Sequence, residues 1–162
     1  MLRRRARHRH ADPARLVLVL VLVAGCGGDE ERTFPEGVAQ PIAKVEFLAE
    51  AERICGSTNA RVEAAADGLV STGDQPPPAE VRRAVIGVAV PALEAEVRAI
   101  RALGVPEGDE RRVEAIIAAT ERGIEQIRAD PVGVLDGPPP ALREAGRLAR
   151  AYGSENCGFP QG

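Results

Sequence analysis

The sequence predicts an all-α protein: an antiparallel four-helix bundle stapled by one disulfide, preceded by a lipoprotein signal peptide and a flexible tether. Apolar residues recur at steps of three and four along four separate segments, which is the period of an amphipathic helix, and no stretch shows convincing strand alternation. Prolines and glycines stand where such helices begin and end. Short loops between the segments favour antiparallel neighbours.

Residues 1–25 form the predicted signal peptide. Six arginines lie in the first fifteen residues, followed by the apolar run 16–23 and then by Val23-Ala24-Gly25-Cys26. A basic region, a short apolar region and a small-residue cleavage site that ends on cysteine predict a mature chain beginning at a lipid-bearing Cys26. A membrane span is the alternative, but residues 16–26 fall short of the roughly 20 apolar residues that a span needs. Twin-arginine export, suggested by residues 3–5, is another alternative to the general secretory route.

The charge of the mature chain differs from that of the whole sequence. Residues 1–25 take six of the 21 basic and one of the 24 acidic residues, which leaves 15 basic and 23 acidic residues and a net charge of −8. Such an acidic chain is a poor candidate for nucleic acid, whose affinity comes largely from Lys and Arg. Anionic lipid head groups would also repel it, so we expect the lipid on Cys26 to provide the membrane attachment.

Residues 26–40 predict a flexible tether, because they hold glycine, proline and acidic residues and little to bury. The predicted helical bundle domain is 41–162. Its first helix covers residues 41–69, with Gly56 as a point where it could break.

The second predicted helix covers residues 79–103 and contains Pro91, which should kink or break it. Its apolar stripe is Val81, Val85, Val88, Ala92, Ile100 and Leu103, with Val97 one position off the stripe. Because the helix faces are rich in alanine, the helices are expected to approach closely. Little volume then remains for an internal ligand unless Pro91 opens a gap.

The third predicted helix begins near Asp109, a good N-cap residue, and ends before Asp130-Pro131. The fourth covers residues 141–152 and is capped by Gly153.

Two cysteines besides Cys26 remain in the mature chain, Cys55 and Cys157. In an oxidising compartment they are expected to form a structural disulfide. Pairing between two chains and a redox or catalytic thiol are the alternatives, but neither cysteine has a histidine partner in the mature chain and no C-x-x-C motif occurs.

The mature sequence offers few candidate residues for catalysis or metal binding. The only histidines, His8 and His10, lie in the signal peptide, which removes Ser-His and Cys-His nucleophiles and His-based metal sites from the mature protein. Two carboxylate pairs share helix faces, Glu46 with Glu50 and Glu110 with Glu114, but both are on polar faces. We therefore expect no enzyme, no metal and no cofactor.

Arg143, Arg147 and Arg150 form a basic stripe on the fourth predicted helix. The stripe could bind an anionic partner. It could equally face acidic neighbours, and cations are favoured near a helix C-terminus in any case. Elsewhere Glu94 and Arg98 are spaced as an i,i+4 ion pair.

Three short motifs give the chain a family resemblance: Ala51-Glu52-Arg53-Ile54-Cys55, residues 103–109 (LGVPEGD), and residues 151–158 (AYGSENCG). Together with the lipobox they resemble a group of small actinobacterial secreted or lipid-anchored helical proteins of uncharacterised function. The resemblance implies a helical bundle and a Cys55–Cys157 bridge, and it implies no activity. Val105 departs from the pattern, where a second proline is often found.

The expected function is a non-enzymatic interaction or binding module, held by its lipid at the extracytoplasmic side of the cell membrane, with an envelope protein as a candidate partner. The alternative is a small-ligand carrier with an apolar site between helices near Pro91. An enzyme that uses carboxylates alone is a third hypothesis.

Overall fold

The computed structural model describes residues 41–70 and 75–157, and these residues form helices joined by turns, with no strand among them. The all-α prediction is therefore confirmed for this part of the chain. The predicted signal peptide, the lipid-bearing Cys26 and the tether lie outside the described residues. No helix in the described ranges has the length and apolar character needed to cross a membrane.

The helices follow the four predicted segments closely, and their bounds lie within three residues of the predicted ones. They are α1 (Lys44–Val70), α2 (Pro78–Ala84), α3 (Val90–Ala102), α4 (Glu110–Ala129) and α5 (Pro140–Tyr152). A π-helical turn, Val85–Ala89, joins α2 to α3, and a 3₁₀ turn, Gly133–Asp136, precedes α5.

The second helical segment continues through Pro91, and the residues just before Pro91 keep helical backbone angles. Proline lacks the N–H that an α-helix would use there, and the chain widens into the π-helical turn just before it. A π turn adds one residue to the helical repeat, so the predicted stripe shifts by one position. Val88 is consequently 41% exposed, whereas Val90 and Val97 are buried.

Helix ends carry the predicted proline and glycine signals. Pro78 and Pro140 are the first residues of α2 and α5, where a missing N–H costs nothing. Gly153 follows α5 with φ 112°, a left-handed conformation that favours glycine. Gly56 does not interrupt α1.

The core lies where α1, α3, α4 and α5 face one another. α4 packs against α5 and α3, while α1 packs against α3, the π-helical turn and α2. Phe47, Leu93, Ile117, Ile124 and Leu142 are among its buried side chains. Aliphatic and alanine side chains therefore supply most of the core, as the scarcity of aromatic residues requires.

A disulfide joins α1 to the C-terminal segment. The Sγ atoms of Cys55 and Cys157 lie 2.07 Å apart across a sequence separation of 102 residues. Cys55 is 1% exposed, so its sulfur is part of the core. The expected pairing within one chain is thus present, and the two sulfurs are not free thiols.

Candidate ligand-binding site

An apolar cavity of about 240 Å³ lies between the C-terminal half of α1, the α2–π segment and the chain that precedes α5. We call it the aliphatic cavity. Its α1 wall is Val62, Ala65, Ala66 and Leu69. The rest of its wall is Val81, Ala84, Val85, Ala89, Ile127, Val134, Leu135, Pro138 and Pro139.

Alanines create much of the space in the aliphatic cavity. Four of them, Ala65, Ala66, Ala84 and Ala89, line it on α1, α2 and the π-helical turn. A methyl group at these positions leaves volume that a larger side chain would fill. Ala89 lies two residues before Pro91, but Pro91 itself is not among the lining residues.

The lining of the aliphatic cavity has a single chemical character. Every lining residue is Ala, Val, Leu, Ile or Pro, so no side chain offers a hydrogen bond or a charge. Leu135 lines the cavity and is also 44% exposed, which places it at the opening to solvent. An arrangement of this kind can hold apolar matter and cannot perform acid–base chemistry.

A second, smaller cavity of about 50 Å³ lies in the core between α1, α3, α4 and α5. Its lining includes the polar side chains of Asn59, Glu96, Thr120 and Ser154. Burial raises the pKa of Glu96, and a hydrogen bond with Thr58 acts in the opposite sense. The volume suffices for water but not for an organic ligand, so the aliphatic cavity is the better candidate site.

Asp109 connects three helices through its carboxylate. The Tyr152 hydroxyl donates to its Oδ2 at 2.9 Å, Lys44 Nζ lies 3.4 Å from the same oxygen, and Arg112 Nη1 lies 3.0 Å from Oδ1. Desolvation and the hydrogen bond to Asp109 raise the pKa of Tyr152 to about 12. The phenol is therefore protonated at neutral pH and acts as a structural donor.

Asp109 marks the start of α4, as predicted. It stands at the N-cap position, but its carboxylate makes no capping hydrogen bond. Its oxygens are turned toward Tyr152, Lys44 and Arg112 instead. The preference of aspartate for helix starts thus placed the residue correctly, and the contacts of its carboxylate with α1 and α5 depend on the tertiary fold.

Glu52 binds the C-terminal segment to α1. Its carboxylate accepts hydrogen bonds from the Ser154 hydroxyl at 2.5 Å and from the backbone N–H groups of Glu155 and Asn156 at 2.7 and 3.1 Å. Partial burial raises the pKa of Glu52, but the hydrogen bonds outweigh it, and the pKa lies below its ordinary value of 4.5. The contact and the disulfide hold the same segment.

The three arginines of the predicted basic stripe line one surface groove but have different hydrogen-bond partners. Arg147 is engaged by Glu144 on its own helix, through Nε at 2.8 Å and Nη2 at 2.7 Å. Arg143 donates through Nη1 to the carbonyl oxygen of Pro138, which lines the aliphatic cavity. Arg150 lies in the same shallow surface groove as the other two arginines.

The carboxylate pairs lie on exposed helix faces. Glu46 is exposed, and Glu50 accepts a hydrogen bond from Arg53 at 2.9 Å. Glu110 accepts from the Gly108 N–H, and Glu114 lies 3.8 Å from Arg101. Within residues 41–70 and 75–157, no group of three or more metal-ligating side chains is suited to hold an ion.

Compared with known proteins, the chain matches no protein-family model, no curated protein and no solved structure. The resemblance to small actinobacterial lipid-anchored proteins therefore stays a prediction.

Proposed function

We propose that this protein is a lipid-anchored, extracytoplasmic binding protein without enzymatic activity, and that it takes a small aliphatic ligand in the aliphatic cavity. The observation that carries the proposal is a cavity of about 240 Å³ whose lining is entirely aliphatic. It lies beside the π-helical turn, and turns of this type are frequent at functional sites.

The chemistry of the lining sets the chemistry of the ligand. A polar group placed among these side chains would leave its hydrogen bonds unmade, at a cost of about 1–3 kcal/mol for each group. Apolar surface gains about 25 cal/mol for each Å² removed from water. An engineered apolar cavity of about 150 Å³ stays dry and binds benzene, so a cavity of about 240 Å³ accommodates a larger hydrocarbon group.

Filling the cavity tests the proposal. Ala84→Leu places three additional carbon atoms against the cavity, and we expect it to weaken binding of 1-octanol at least tenfold while leaving the fold intact. Calorimetric titration of the native protein should give a negative heat-capacity change, the marker of apolar burial.

Ala79→Leu is the matched control, because Ala79 is exposed on the same helix and does not line the cavity. It should bind 1-octanol as the native protein does. The proposal is wrong if the native protein fails to bind 1-octanol, or if Ala84→Leu binds it equally well.

The membrane attachment is supported by the N-terminal sequence. A signal that ends at Cys26 predicts a lipid on that residue, and an intramolecular disulfide is the expected state of cysteines outside the cytoplasm. Mass spectrometry of the membrane-extracted protein should show cleavage before Cys26 and a diacylglycerol on its sulfur. Cys26→Ser should remain uncleaved and carry no lipid. Recovery of the native chain with residues 1–25 intact and no lipid would contradict the attachment.

A further inference from the structure

We infer that the ligand is a single-chain alkyl carboxylate, with its alkyl chain in the aliphatic cavity and its carboxylate beside Arg143. The inference rests on the proposed function and adds the ligand's polar end to it. Pro138 links the two parts of the site. It lines the cavity, and its carbonyl oxygen accepts a hydrogen bond from Arg143.

The contact with Pro138 places the Arg143 guanidinium beside a residue of the cavity wall, although Arg143 itself lines a separate shallow groove. Arg143 is exposed, so its charged end is open to solvent beside the cavity wall. A guanidinium has five N–H donors in a planar fork, and one bond to a carbonyl leaves the others available. Carboxylates match this fork with two parallel hydrogen bonds.

Within residues 41–70 and 75–157, no other side chain forms an ion pair with Arg143. Among the residues that the structure describes, no carboxylate oxygen lies within ion-pair distance of it, and its neighbour Glu144 is engaged by Arg147. Arg143 is therefore the member of the stripe that combines contact with the cavity wall and a positive charge without an ion-pair partner in the described part of the chain.

A negative charge lies next to Leu135 in the chain. Asp136 is exposed and follows Leu135, the residue at the cavity opening. A carboxylate head group would be repelled there and attracted by Arg143. This asymmetry predicts that an anionic amphiphile binds better than a neutral one and that a cationic one binds worst.

Three ligands with the same chain test the inference: octanoate, 1-octanol and octyltrimethylammonium, each titrated calorimetrically into the purified protein at low ionic strength. We expect octanoate to bind about fivefold more tightly than 1-octanol, the effect of an exposed ion pair at its upper range. The difference should shrink with added salt, because the head group lies in solvent.

Arg143→Gln removes the charge and keeps a polar side chain. It should bring octanoate to the affinity of 1-octanol and leave 1-octanol binding unchanged. Arg147→Gln, one turn further along α5, is the matched control and should preserve the preference for octanoate.

The results of these titrations distinguish failure of the inference from failure of the proposed function. If neither octanoate nor 1-octanol binds the native protein, both are overturned. Equal binding of the two, unaffected by Arg143→Gln, overturns the carboxylate assignment alone and leaves the aliphatic site standing. Tightest binding of octyltrimethylammonium would likewise overturn the assignment.

Discussion

Replacing both Cys55 and Cys157 with alanine is expected to lower the free energy of unfolding by about 4–5 kcal/mol. The two residues are separated by 102 positions, and in the loop-entropy account a crosslink over about 100 residues restricts the unfolded chain by about 4.7 kcal/mol. Domains of this size are stable by only about 5–15 kcal/mol, so the bridge is a large share of the total.

Urea unfolding followed by circular dichroism measures the effect, with Cys26→Ser as the background so that no third thiol can exchange. The protein with Cys55 and Cys157 present but reduced should have the same free energy of unfolding as the double alanine variant, apart from the small packing loss at buried Cys55. An unchanged unfolding midpoint after complete reduction would contradict the prediction.

Gly123→Ala is expected to destabilise the protein by about 1–3 kcal/mol, although alanine is the better helix former. Gly123 lies in α4 against α5, where an added methyl group would overlap the Cγ and Cδ2 of Leu142 and lie 3.1 Å from its backbone N. Leu142 is itself among the most deeply buried side chains, so it has little room to move.

Gly56→Ala is the matched control for Gly123→Ala, and thermal or urea unfolding of both variants measures the difference. Gly56 is also helical, but no neighbouring atom lies within 4 Å of a Cβ built there. Alanine should therefore stabilise α1 by about 0.5–1 kcal/mol. Equal effects of the two substitutions would show that helix propensity, rather than the approach of α5, decides the result.

The helices were predictable because their signals are local. Steps of three and four in the apolar pattern located all four segments, and Pro78, Pro140 and Gly153 marked ends that the structure confirms. Nothing in these signals depends on which segment packs against which. The arrangement of the helices in space is a property of long-range contacts, and periodicity carries no information on it.

The π-helical turn could not be predicted from local sequence signals alone. Pro91 indicated a disturbance, but a kink, a break and a π turn all satisfy the same missing hydrogen bond. One signal in the sequence did indicate a shift in the helical repeat: Val97 lies one position off the predicted apolar stripe. Because the π-helical turn takes up one extra residue before Pro91, Val97 lies in the core and Val88 faces outward.

Side-chain partners across helices were not predictable. Glu94 has Arg98 at i,i+4 spacing, yet it pairs with Arg128 of α4. Glu52 and Tyr152 were noted for their motifs, whereas their contacts with Ser154 and Asp109 span 102 and 43 positions. The aliphatic cavity is likewise lined by four chain segments, and the alanine-rich faces predicted tight packing rather than space between them.

The covalent link between α1 and the C-terminal segment has a consequence for proteolysis. A single backbone cleavage anywhere between Cys55 and Cys157 yields two fragments that remain joined through sulfur. Because Cys26 lies on the same fragment as Cys55, a protease that nicks the domain once would not shed either piece from the membrane anchor that we propose. Release then requires a second event, either reduction of the bridge or a cut in the segment before Cys55.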